Sequence, residues 1–149
     1  MPRTRTSILI NRSVETVFAY VANPENLPEW AARTYDVTMT SVGPVAVGAT
    51  FMAVGRFLGQ RIESPQKVTD YESARRFALR SSSGPITFTF HYAFDRIGDT
   101  TQITFEAEVQ AGLFFKVAEP IFASAVARLC ETDLHRLKTR LEAVPNGRH

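Results

Sequence analysis

The chain has 149 residues, 44% of them hydrophobic and 21% charged, a balance that suits one soluble domain with a substantial core. Its 17 Lys and Arg against 15 Asp and Glu leave a net charge of +2, and the basic residues are scattered, so nucleic acid is not an expected partner. The single cysteine, Cys130, excludes an internal disulfide and has no Cys or His partner at metal-ligand spacing, so no metal or cofactor is expected. No apolar run reaches membrane-spanning length, and the first ten residues lack the apolar stretch of a signal peptide. The expectation is a cytoplasmic monomer or homodimer with no integral membrane segment.

In chain order, Thr4 to Asn11 is rich in Thr and Ile and reads as a first strand. Ser13 is placed to cap a helix, in which Val14, Val17, Phe18 and Val21 recur at helical spacing on one face. Asn23-Pro24 stops that helix and can start a second short one, leaving Leu27 and Trp30 to point inward. Strands follow at Tyr35–Val42, Thr50–Gly55, Arg61–Tyr71 and Arg76–Ser82, with Pro65 suggesting an edge or a bulge in the third of these. Two longer strands are the clearest. Ile86, Phe88, Phe90, Tyr92 and Phe94 alternate with Thr87, Thr89, His91 and Ala93, and Ile103, Phe105, Ala107 and Val109 alternate with Thr104, Glu106 and Glu108. Period two over both runs fixes which face meets the core.

A long amphipathic helix is expected from about Leu113 to Glu142. One apolar stripe runs through Phe114, Ala118, Ile121, Phe122, Ala125 and Leu129, and a second through Val126, Cys130, Leu134, Leu137, Leu141 and Val144. Pro120 lies inside the pattern and predicts a bend near the helix start. Small residues around it (Ala118, Ala123, Ser124, Ala125, Ala127) would leave volume unfilled beneath the helix.

Several segments together resemble one known superfamily. These are Val17-Phe18-Ala-Tyr-Val-Ala-Asn23-Pro24 with Trp30, Gly48, the Val68-Thr-Asp-Tyr71 strand, and the tail Leu134-His-Arg-Leu137-Lys138-Thr-Arg-Leu141-Glu142. In order and spacing they are similar to the START-like, helix-grip superfamily, also called SRPBCC, in its polyketide cyclase/dehydrase branch. The resemblance covers nearly the whole chain as a single domain, 1–149. It implies an α+β fold: a curved antiparallel sheet of six to seven strands wrapped around a long C-terminal helix, with two short helices after strand one. That superfamily includes lipid carriers, hormone receptors, cyclases, oxygenase subunits and chaperone activators, so fold alone does not select an activity.

The function expected is binding of a small hydrophobic molecule, lipid-, sterol- or polyketide-like, between the sheet and the last helix. Its lining would come from Trp30, Tyr35, Phe77, Phe88, Phe90, Tyr92, Phe94 and Phe105, with Phe114, Ala118, Phe122 and Ala125 from the helix. Core packing accounts for each of these aromatics as readily as a cavity floor does. Phe57, Leu58 and Phe115 are apolar residues at loop positions, read as a cavity mouth in preference to a dimer contact or a membrane surface. Glu106 and Glu108 invite an acid/base reading, but the alternation puts them, with His91, on the outer face. The facing of Arg61, Asp70 and Arg80 does not follow from the pattern. A cyclase or aromatase remains the enzyme alternative, and it would need an inward acid, base or strong hydrogen-bond donor, for which Tyr92, Tyr35 and those Arg and Asp positions are candidates.

Overall fold

The computed structural model describes residues 3–31, 34–57, 59–81, 87–110 and 119–143, with the backbone alone at Arg3, Phe57, Gln110 and 119–126. Seven strands form one antiparallel sheet: β1 (Arg3–Ile10), β2 (Thr34–Met39), β3 (Thr50–Phe57), β4 (Gln60–Glu72), β5 (Arg76–Ser81), β6 (Thr87–Ile97) and β7 (Thr100–Gln110). Their spatial order is β1-β7-β6-β5-β4-β3-β2, so the sheet is open with β1 and β2 at its edges. Between β1 and β2 stand α1 (Val14–Val21), a single 3₁₀ turn at Pro24–Asn26, and α2 (Leu27–Trp30). The described part of the last helix, α3, runs Glu119–Ala143. This is the helix-grip α+β architecture that the sequence resemblance implies.

The local chemistry explains the boundaries. Ser13 has an extended backbone and its Oγ accepts from the Thr16 amide at 3.3 Å, closing the start of α1. The four apolar residues of α1 are all buried. Asn23 repeats the device for the next turn, its Oδ1 accepting from the Glu25 amide at 3.1 Å, with Pro24 at the first helical position. The β6–β7 hairpin carries the expected face. Phe90 pairs with Ala107, Tyr92 with Phe105 and Phe94 with Ile103, while His91 opposite Glu106 faces outward.

Pro65 pairs with Met52 on β3, and the last described β4–β5 pair is Gln66–Ser81. The bulge falls elsewhere, between Val68 and Asp70. One extra residue there inverts the parity of β4. Tyr71 therefore turns inward, its ring 5.3 Å from Phe18 and 6.1 Å from Phe77, and Asp70 turns toward solvent to accept from Arg76 Nε at 2.9 Å. Arg61 and Arg80 are exposed as well, Arg61 donating to Glu63 at 2.8 Å.

Helix α3 is fastened over its second half. Lys138 Nζ donates to the Leu9 carbonyl at 2.6 Å, the Asn11 amide to Glu142 Oε2 at 2.7 Å, and Arg136 Nε to the Trp30 carbonyl at 3.2 Å. Leu134, Leu137 and Leu141 lie buried beneath it, three members of the second apolar stripe. The expected bend at Pro120 and the residues 113–118 lie at or outside the limit of the described residues.

Candidate functional site

A cavity of about 210 Å³ lies between the concave face of the sheet, α2 and α3. Its floor is the row Phe88, Phe90 and Tyr92 on β6 with Phe105 and Val109 on β7; β3 and β4 add Ala53, Gly55, Ile62, Ser64 and Gln66. Leu27 and Trp30 of α2 close one side, and Leu129, Cys130, Asp133 and Leu134 of α3 form the roof. The rings are mutually braced. Phe88 stacks on Phe90 with centroids 4.4 Å apart, Phe90 meets Phe105 edge-on at 5.3 Å, and Trp30 stands perpendicular to Tyr92 at 6.5 Å. Phe88 is also held through its backbone: its amide lies beyond the last β5–β6 pair and donates to the buried Ser81 Oγ at 2.9 Å.

Of the residues the sequence nominates, Trp30, Phe88, Phe90, Tyr92 and Phe105 meet at this cavity. Phe77 and Phe94 do not line it. Both are buried in solid core, Phe77 against Tyr71 and Tyr92, Phe94 against Phe18 at 5.1 Å. Tyr35 is 50% exposed on the edge strand β2 and is not part of the wall; a bulge between Thr34 and Asp36 shifts the register there. Phe114, Ala118, Phe115 and Leu58 lie outside the described residues, as do the side chains of Phe57, Phe122 and Ala125.

Sequence reasoning missed the polar part of the lining. Ser64 and Gln66 point inward from β4, Gln66 Nε2 donating to Ser64 Oγ at 3.4 Å, and Cys130 and Asp133 look in from α3. The signal was present for β4, where Ile62, Ser64, Gln66 and Val68 share one face up to the bulge. Polar side chains masked it, because they carry no hydrophobic period. For α3, Cys130 stood on the second stripe and Asp133 on neither.

Burial at the cavity wall disfavours ionisation of its titratable groups. Burial pushes the Tyr92 hydroxyl far above the usual tyrosine range, and the neighbouring Cys130 and Asp133 push the same way. The Cys130 thiol is pushed up to about 12, by burial first and then by Asp133 and Glu131. At neutral pH both are protonated, hydrogen-bond donors rather than bases or nucleophiles. Among the described residues no group of three or more His, Cys, Asp or Glu could hold a metal ion.

A second, open groove runs outside the fold between α1, α2 and α3. At its centre Tyr20 Oη donates to Glu29 Oε1 at 2.5 Å, and Arg140 Nε donates to both at 3.1 and 3.2 Å. This cluster joins the three helices to one another. Its polar groups satisfy each other.

These features define a START-like protein whose curved sheet and terminal helix enclose a cavity. Residues 1–142 match the family model described as polyketide cyclase / dehydrase and lipid transport, and the chain belongs to that family. No curated protein matches the sequence. Among solved structures the chain is similar to a START superfamily protein from Mycobacterium smegmatis, with TM-score 0.85 and 14% identity over 96% of this chain and 99% of that one. It is similar also to a protein from Thermus thermophilus, at TM-score 0.81 and 14% identity, covering 95% and 98% of the two chains. The Zhui aromatase/cyclase from Streptomyces sp. R1128 superposes with TM-score 0.76 at 14% identity, covering 94% and 93%. At these identities the likeness concerns the fold. No helix among the described residues is long and apolar enough to cross a membrane.

Proposed function

We propose that this protein binds a small, largely apolar molecule in the cavity between the sheet and α3. The observation that supports this reading is a void of about 210 Å³ walled by aromatic and aliphatic side chains beside a contiguous buried core. Pockets for small molecules are built this way, apolar with a few polar groups that fix orientation. Affinity comes from burial, at about 25 cal/mol per Å² of apolar surface removed from water, less the cost of immobilising the guest. Trp30 is the single tryptophan and stands in the wall, so its fluorescence reports occupancy directly. Titration with 1-naphthylamine, a two-ring dye, is expected to change that emission, and native mass spectrometry of gently purified protein to show a bound small molecule. Phe90→Ala is expected to weaken dye binding more than it lowers stability. Unchanged Trp30 emission up to the solubility limit of the dye would refute the reading.

The rival activity, a cyclase or aromatase, draws on the likeness to Zhui aromatase/cyclase and on the inward hydroxyl of Tyr92. It has less support. Tyr92 and Cys130 hold their protons, which leaves Asp133 as the one cavity-lining carboxylate among the described residues. An interaction module is carried less well still, since the side chains of Phe57, Leu58, Phe114 and Phe115, on which it stood, lie outside the described residues.

A further inference from the structure

We propose that the cavity selects a small neutral molecule of one or two rings bearing a lone-pair oxygen, and that Tyr92 is the residue that reads that oxygen. The inference rests on the ligand-binding reading above and narrows it to a ligand class.

Size comes first. An apolar protein cavity of about 150 Å³ holds one benzene ring, whereas pockets for drug-sized ligands run from about 300 to 1,000 Å³. At about 210 Å³ the void lies just above the first and well below the second. A guest of roughly eight to twelve non-hydrogen atoms fills it. A sterol or an extended polyketide does not fit without opening the fold.

Polarity decides the rest. Tyr92 is 4% exposed and lines the cavity, so its side chain can present the phenol as a donor at the wall. A buried donor without a partner is costly, and one stands in this wall. It is the Trp30 indole Nε1, buried without a partner beside the Tyr92 ring. An unmatched indole donor next to a phenol donor calls for an acceptor, such as a ketone oxygen. A carboxylate is disfavoured there because burying its charge against a largely apolar wall is costly. Because burial keeps the Tyr92 phenol protonated, it can donate across the whole physiological range.

Position orders the guest. Tyr92 lies four residues from Phe88 on the same face of β6, about 13 Å along the strand. The Ser64–Gln66 pair stands level with Phe88, since Gln66 pairs with Ser81 and Ser81 binds the Phe88 amide. The oxygen is therefore directed toward Tyr92 at one end, while the hydrocarbon part lies on Phe90 and Phe105.

The test uses two probes of one shape, 1-tetralone and tetralin, which differ by a single carbonyl oxygen. The Trp30 indole proton gives one NMR signal in this chain, and its shift during titration reports binding of either probe. Tetralone is expected to bind about three- to tenfold more tightly than tetralin, the contribution of one neutral hydrogen bond. In Tyr92→Phe that ratio should fall to about one while tetralin binding holds, with a thermal melt to confirm that the variant is folded. Progesterone, a larger ketone, should leave the signal in place, and tetralin-1-carboxylate should bind more weakly than tetralone. Equal affinity for tetralone and tetralin in the wild type overturns the proposal and leaves the cavity reading standing, as does a preference that survives Tyr92→Phe. Tighter binding of progesterone or of the carboxylate overturns the size or charge class. A Trp30 signal unmoved by every probe refutes the cavity reading itself, and this inference with it.

Discussion

Strand β6 passes through two environments on one face. Tyr92 and Phe94 are buried at 4% exposure, whereas Phe90 and Phe88, two and four residues back from Tyr92, are half-buried. The helix above shows the same gradient: Leu134, Leu137 and Leu141 are buried, Leu129 and Cys130 half-buried. The closed end has three elements to fill it. Helix α1 inserts Phe18 against Phe94 and Tyr71, and Lys138 and Glu142 fasten α3 to β1. At the hollow end the sheet meets α3 with no comparable wedge from α1. The same alternation that makes a core at one end thus makes a cavity lining at the other, and what differs is the partner supplied from outside the sheet.

Truncating one ring at each end sharpens that contrast most. Phe94→Ala removes a ring in close contact with Phe18 and should cost about 3–5 kcal/mol. Phe90→Ala enlarges a void that already exists, so its cost should be about half as large, in urea denaturation of both variants. Equal losses would mean that the void closes up in solution. The reverse operation is next in size. Val17→Leu, at a fully buried site of the closed end, should overpack and cost about 1–3 kcal/mol. Ala53→Leu extends into the cavity, so it should change stability by less than about 1 kcal/mol while abolishing the response of Trp30 to 1-naphthylamine.

This division also explains how much the sequence discloses. The strands, the hairpin register, the Ser13 cap and the short helices are legible because each rests on a local period or a capping chemistry that tertiary contacts reinforce. The aromatic row is legible as an inward face, but nothing in its period tells Phe90 from Phe94. That difference depends on where α1 and α3 are fixed, which long-range bonds such as Lys138 to Leu9 determine. Asp70 and Tyr35 were opaque for another reason. A bulge in β4 and one in β2 change strand parity, and a single extra residue leaves no mark on composition. The inward Ser64 and Gln66 were hidden by their own polarity.

The clamp on α3 gives a pH-dependent prediction. Glu142 accepts from Lys138 at 2.8 Å and from the Asn11 amide, and these bonds hold its carboxyl below the usual carboxylate range. A depressed folded-state pKa gives stability that is present above the unfolded value and lost as pH falls through the folded one. Glu142→Gln should therefore cost about 1 kcal/mol at pH 7, after allowance for its partly exposed position, and the difference from wild type should shrink below about pH 4. Melts of both proteins from pH 7 to pH 3 check this; a gap that persists in acid would show that the clamp does not depend on the carboxylate charge.

The smallest effect belongs to the outer cluster. Tyr20 is pushed up to about 12, by burial first and then by its bond to Glu29. A raised folded-state pKa contributes stability below the unfolded value, about 10 for tyrosine, and that contribution disappears as pH rises toward 12. At pH 7 Tyr20→Phe leaves the Arg140–Glu29 contact in place and should change stability by no more than about 0.5 kcal/mol. Between pH 10 and 12 the wild type should lose stability faster than the variant, as the Tyr20 phenolate is forced to form beside the Glu29 carboxylate. Parallel decline of the two would place the sensitivity elsewhere, and the buried hydroxyl of Tyr92 would be the next group to replace.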